Sequence, residues 1–134
     1  MAIENFLHAY IASEQKFPEK ANIVVEGSKG KWVYVILEGK AKVTKKTAKG
    51  RITLTVLGEG SIIGELSVFE QGDSVRTATV TATDGPILVG ILDSDRLVRD
   101  YESLSPRIKA LISSLIKRLR EATDEVCDLA SEIY

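Results

Sequence analysis

The residues best suited to chemistry lie near the middle of the chain, as Ile63-Gly64-Glu65-Leu66-Ser67-Val68, a seven-residue gap, and Arg76-Thr77-Ala78-Thr79-Val80. Gly64 admits close approach of another backbone, and residues 61–67 suit a short turn or helix start whose N–H groups could face an anion. Arg76 stands where the chain re-enters an alternating strand, so it would bring a planar fork of donors to that same anion. Glu65 would repel a phosphate unless it pointed elsewhere, and its natural partner is a sugar hydroxyl, as in dinucleotide sites. Arginine, main-chain amides and a hydroxyl-reading acid together describe a ribose–phosphate pocket. Each residue by itself has a plainer reading. Arg76 could be a surface or salt-bridge arginine, and Glu65 a helix-start acid stabilised by the dipole. The full spacing is what favours binding.

Composition narrows what such a pocket can belong to. At 134 residues and 44% hydrophobic content the chain supports one domain with one core. Eighteen basic against nineteen acidic residues leave a net charge of -1, not the basic balance of a dedicated nucleic-acid binder. One histidine, His8, and one cysteine, Cys127, offer neither a metal-ligand cluster nor a Cys–His or Ser–His catalytic pair. The lone cysteine, the lack of a signal-like N-terminus and the lack of a membrane-length apolar run point to a soluble cytoplasmic protein.

The elements that would position the pocket read as follows. Ile3, Phe6, Leu7, Tyr10 and Ile11 recur at helical spacing, predicting an N-terminal helix within residues 1–17 that ends before Pro18. From residue 20 to 92 the period becomes two. Val33, Val35 and Leu37 alternate with Trp32, Tyr34 and Ile36, and Ile52, Leu54 and Val56 alternate with Thr53 and Thr55. Frequent glycines between these runs, and no room for crossover helices, predict an antiparallel roll or barrel. Lys40, Lys42, Lys45, Lys46, Lys49 and Arg51 decorate a hairpin with Ala41 and Val43 turned inward. With no interleaved aromatics, this reads as a solvated hairpin whose lysines discourage edge pairing rather than as a nucleic-acid patch. Ser105-Pro106 supplies an N-cap followed by proline at the first helical position. Ile108, Ile112, Leu115, Leu119, Ala122, Val126, Leu129 and Ile133 then form a seam with alternating gaps of four and three, along a helix roughly 40 Å long. Such a seam either covers the roll or pairs with a second copy, and its length favours a parallel homodimer. Leu111 and Ile116 widen the stripe and are the candidates to face the roll.

At residues 63–68 and 76–80 the sequence resembles the cyclic-nucleotide-binding domain family, which includes catabolite activator proteins, regulatory subunits of cyclic-AMP-dependent protein kinase and nucleotide-gated channels. Both segments, and the gap between them, are similar to the family's phosphate-binding cassette. Residues 23–30, the apolar run from Val33 to Ile36, and Gly39 resemble its first glycine-bearing signature. Ser28 departs from it, standing where the family usually has an acidic or amide residue. The resemblance spans roughly residues 15–134. It implies a mainly β fold with flanking helices: an antiparallel β-roll (double-stranded β-helix, or jelly-roll) over residues 20–92, with the cassette at 61–80 and C-terminal helices over 94–134.

By the same resemblance, Glu65 accepts from the ribose 2′-hydroxyl and Arg76 pairs with the cyclic phosphate. Gly64 and the N–H groups of Leu66, Ser67 and Ala78 complete the cradle. Thr77 touches the phosphate or the purine edge. Thr123 matches a helix hydroxyl that reaches adenine in the catabolite activator branch, while the neighbouring matched position is Ala122. The implied ligand is cyclic AMP (cAMP) or cyclic GMP (cGMP), with no cofactor or metal and no catalysis. The chain stops at Tyr134, where transcription factors of the family continue into a helix-turn-helix. The expected output is therefore a partner protein, the dimer itself or a domain outside this sequence. Two rivals are a DNA-binding regulator represented here without its output domain and an interaction module with a degenerate pocket. A phosphodiesterase is a third, though nothing in the cassette would activate water.

Overall fold

The computed structural model describes residues 8–65, 69 and 75–133, with side chains to residue 129. Among the described residues six strands form one antiparallel sheet: β1 (Ile11–Phe17), β2 (Asn22–Val24), β3 (Val33–Thr47), β4 (Gly50–Leu57), β5 (Ile62–Ile63) and β6 (Thr79–Leu92). The order is β1-β6-β3-β4, with β2 added to β6 and β5 to β3. Two helices follow, α1 (Ser94–Glu102) and α2 (Pro106–Ile133). This is the β-roll with C-terminal helices that the sequence implies.

Two long strands, β3 and β6, bend the sheet into a roll. They pair in two stretches, Val33–Glu38 against Leu88–Leu92 and Lys40–Thr44 against Thr79–Thr83, with register shifts on either side of Glu38. Gly39 occupies the corner at φ +98°, and a Cβ there would lie 2.7 Å from the Pro86 carbonyl oxygen. Only glycine lets the two strands close at that point. The bend leaves β3 with apolar groups on both faces. Ile36 and Ala41 join Ile23, Val80, Ile87 and Val89 inside the roll. Val33 and Val35 instead meet Leu92, Ile11 and Leu97 on the α1 side. Both alternating sets in the sequence are therefore apolar for a structural reason.

The N-terminal expectation is corrected. Residues 11–17 form β1, paired with β6 from Ile11↔Leu92 to Phe17↔Ile87, rather than the end of a helix. Residues 12–16 are all exposed. Main-chain pairing to β6 holds this segment, and it overrides a helical pattern to which it contributed only Ile11. The earlier part of that expected helix, residues 1–7, lies outside the described residues.

The Lys40–Arg51 segment is a hairpin, Thr47 facing Gly50 across Ala48 and Lys49, and β4 is an edge strand. A bulge between Val43 and Thr44 shifts the inward set on β4, so that Val56 is exposed and Leu57 packs on the core. Helix α2 begins as the Ser-Pro pair predicts, the Ser105 hydroxyl accepting from the Ile108 N–H at 3.3 Å. Its covered face differs from the expected seam. Lys109, Ile112, Ile116, Arg120, Thr123 and Cys127 are half-buried or buried. Ile108, Leu111, Leu115, Leu119, Val126 and Leu129 are exposed. Ile116 thus faces the roll as expected, but Leu111 and Ile112 exchange roles, because a 3.6-residue helix on a curved roll does not keep a 3.5-residue seam. Among the described residues no helix is long and apolar enough to cross a membrane.

Ile87 is fully buried at the centre of the roll. Ile87→Ala is expected to destabilise the fold by about 2–5 kcal/mol in urea denaturation, the range for a buried isoleucine replaced by alanine.

Candidate functional site

The first glycine-bearing segment and the Arg76 segment are tied to each other by main-chain bonds. The Gly27–Ser28 turn lies against Arg76. Gly27 donates its N–H to the Arg76 carbonyl at 2.9 Å, and Arg76 donates its own N–H to the Ser28 carbonyl at 2.8 Å. An isolated bridge between Lys29 and Val75 continues the pairing. Ser28, the departure from the family pattern, closes the turn itself by donating its hydroxyl to the Val25 carbonyl at 2.6 Å. A short polar side chain is all the turn requires.

The Arg76 side chain is aimed by the same loop. Its Nη2 donates to the Trp32 carbonyl at 2.7 Å. Strand β5 pairs with β3 at Tyr34↔Ile63, which brings Gly64 beside that carbonyl. Gly64 has φ +80°, and a Cβ on it would lie 2.5 Å from Arg76 Nη1 and 2.8 Å from the Trp32 oxygen. Glycine is needed there for both conformation and space. Burial pushes the Arg76 guanidinium below its ordinary pKa, partly offset by attraction to Tyr34. Burial likewise pushes the Tyr34 phenol up, and Arg76 opposes that rise. A desolvated guanidinium has more to gain from an anion than an exposed one.

Gly64, Glu65, Arg76, Thr77 and Ala78 line one cavity, walled by aliphatic side chains such as Val24, Leu57, Ile63 and Val80. The acid and the arginine of the sequence reading therefore meet in the same concavity. Leu66 and Ser67 lie outside the described residues. Thr123 is not among the lining residues, and its hydroxyl donates to the Leu119 carbonyl one turn back in α2, at 2.9 Å. Arg120 of α2 lines the cavity instead. Sequence reading missed it because it followed the apolar stripe, although Arg120 stands four residues after roll-facing Ile116.

Lys45 is a second addition. Although it belongs to the basic hairpin, it is half-buried and donates to the Thr77 carbonyl at 2.9 Å, with Asp124 of α2 at 3.9 Å. Phe69, between the two cassette segments, stacks edge-on against buried Tyr101 of α1, with centroids 5.0 Å apart and planes at 77°. Lys45 thus links Thr77 of the lining to α2, and Phe69 touches α1. Among the described residues no group of three His, Cys, Asp or Glu could hold a metal ion.

With this geometry in place the comparisons are decisive on family. The cyclic nucleotide-binding domain model matches residues 14–99. The chain belongs to that family. It is similar to the CRP-like cAMP-activated global transcriptional regulator of Mycobacterium tuberculosis, at 33% identity over 115 residues, which cover 84% of this chain and 50% of the relative. The chain thus spans about half the length of that curated relative. Among solved structures it resembles the cAMP-bound form of the EAL enzyme Bd1971, with TM-score 0.73, 27% identity, and coverage of 90% of this chain and 32% of the other. The cGMP-bound form of that enzyme gives TM-score 0.72 at 27% identity, covering 87% of this chain and 30% of the other. Thermus thermophilus catabolite activator protein gives TM-score 0.61 at 27% identity, covering 97% of this chain and 59% of the other.

Gly64→Ala is expected to force the Arg76 fork off the Trp32 carbonyl and lower stability by about 1–3 kcal/mol in chemical denaturation. A Cβ on Gly58 would meet nothing within 4 Å. Gly58→Ala therefore serves as the control and should stay within about 0.5 kcal/mol of wild type.

Proposed function

We propose that the chain is a cytoplasmic sensing domain that binds a cyclic purine nucleotide without transforming it and transmits occupancy through α2. The observation that carries this reading is that Glu65 and Arg76, whose fork is oriented by Trp32, line one cavity together with Gly64. One guanidinium nitrogen is held by Trp32, and the remaining donors serve the cyclic phosphate. Glu65 accepts from the ribose 2′-hydroxyl, and the N–H groups of Leu66, Ser67 and Ala78 complete the anion cradle. The aliphatic walls suit a purine ring. The cAMP-bound and cGMP-bound structural relatives support either base.

Contacts near the cavity support transmission to the helices. Ligand capture draws the cassette inward, and Phe69 on Tyr101 and Lys45 between Thr77 and Asp124 carry that shift to α1 and α2. Turning a 1:99 population into 99:1 requires about 5.5 kcal/mol of differential affinity, within reach of a buried arginine–phosphate pair plus several amide bonds. The receiving partner is a second copy of this chain, through the exposed apolar side of α2, or an effector protein. The M. tuberculosis relative favours a second reading of the output, a transcriptional regulator of which this chain is the sensing part.

Isothermal titration of Arg76→Ala with cAMP and cGMP is expected to show affinity reduced roughly tenfold to a few hundredfold, from about 1.5–3 kcal/mol for a charged hydrogen-bonded contact. Unchanged affinity would refute the role of Arg76. Light scattering should give twice the 14.7 kDa chain mass for wild type and one chain mass for Leu115→Glu/Leu119→Glu.

A further inference from the structure

Lys45 is not a lining residue of the cavity, yet it is bonded to one. Strands β3 and β6 pair as far as Thr44↔Thr79, where β6 begins, so β3 carries Lys45 one position further, beside the residues that lead into β6. From there its ammonium donates to the Thr77 carbonyl at 2.9 Å. The backbone that bears it is anchored. The Lys46 N–H donates to the Glu26 carboxylate at 2.9 Å, and the Glu26 N–H donates to the Thr79 hydroxyl at 3.0 Å. The Lys45 side chain is only 19% exposed, whereas Lys46 and Lys49 of the same hairpin are exposed residues.

The carbonyl that Lys45 holds belongs to the Thr77–Ala78 peptide, whose other polar group is the Ala78 N–H. Among the described residues no peptide bond is cis, so this C=O and this N–H point in opposite directions. A cation on the oxygen draws electron density toward itself and makes the N–H on the far side a stronger donor. Ala78 lines the cavity, and on the reading above its N–H serves the cyclic phosphate. Lys45 therefore strengthens the anion cradle from behind the wall without touching the ligand. Its charge is largely withdrawn from water, so its field is screened less than that of a surface lysine. Asp124 of α2 stands 3.9 Å from the same ammonium, and a carboxylate there opposes part of that field.

We propose that Lys45 is a positioning residue for the phosphate of the bound nucleotide, acting through the Thr77–Ala78 peptide, and that Asp124 of α2 tempers it. The proposal rests on the cyclic-nucleotide reading of the cavity and adds a regulator to that site. It ties affinity to the place of α2 in a definite direction: moving Asp124 away from Lys45 tightens binding. By linkage, an occupied cavity favours the arrangement in which Asp124 stands further off.

The test is calorimetric titration of the intact chain with cAMP and cGMP. Lys45→Met is expected to weaken both nucleotides by about three- to tenfold, the worth of one ordinary hydrogen bond. Lys45→Arg should recover most of that loss, and Lys49→Met, which removes an equal charge from the exposed end of the hairpin, should stay within about twofold of wild type. Asp124→Asn should tighten binding by about two- to threefold, and the gain should shrink in the Lys45→Met background. In the nucleotide-free chain the Ala78 amide proton should move upfield in Lys45→Met and hold its place in Lys49→Met, a shift that loss of packing elsewhere would not produce. Wild-type affinity in a folded Lys45→Met overturns the proposal. So does weaker binding by Asp124→Asn, which marks the pair as a structural ion pair and decides the matter even where Lys45→Met fails to fold. Absence of binding of either nucleotide to wild type sinks the cyclic-nucleotide reading itself, a result distinct from both.

Discussion

Arg76 is gripped at three points by one loop: its N–H by the Ser28 carbonyl, its own carbonyl by the Gly27 N–H, and its guanidinium by the Trp32 carbonyl. A solvated arginine loses about 2 kcal/mol of side-chain freedom when fixed, and here much of that loss falls in folding rather than in binding. The antiparallel pairing of β3 with β6 brings residues 27–32 opposite the segment that leads into β6. The corner at Gly39 therefore matters to the site although it is remote from it in the chain. The loop also reaches α1, since Ser94 donates its hydroxyl to the Lys31 carbonyl at 2.8 Å.

The electrostatics of the cavity follow from that arrangement. A half-buried guanidinium that gives one nitrogen to the Trp32 carbonyl has further donors to offer. A monoanion restores what burial has removed, and it does so where water competes poorly. The adjacent acid does not cancel this attraction if it engages a hydroxyl. Gly64 keeps the fork accessible by presenting no side chain against it.

How legible this was in the sequence depended on which physical signal each element carries. The central strands were readable because burial alternates along them, and the cassette because its glycine, acid and arginine stand at a distinctive spacing. β1 was not readable. Its middle residues, from Ala12 to Lys16, are exposed, so the bonds that hold it are main-chain bonds and leave no alternation. Apolar patterning found α2 and its N-cap but misplaced Leu111 and Ile112, because it does not say which neighbour a stripe will meet. The same limitation hid Arg120 and Lys45, long cations whose stems lie along a covered face while their heads reach the cavity wall or rim. Of the expected contacts from α2, Thr123 was named from a resemblance and is not at the wall, one turn from the residue that is.

The covered and open sides of α2 are offset by a single residue along much of its length. Lys109, Ile112, Ile116, Arg120, Thr123 and Cys127 follow immediately after Ile108, Leu111, Leu115, Leu119, Ala122 and Val126. One residue is about 100° of turn, so the two sides are neighbours on the same rigid rod. Were an occupant of the cavity to rotate the inner side, the outer side would roll by the same angle at every level of the rod. On the proposed sensing role, a message carried by this helix would be a torque about its axis, delivered with equal sweep to whatever lies along that outer side.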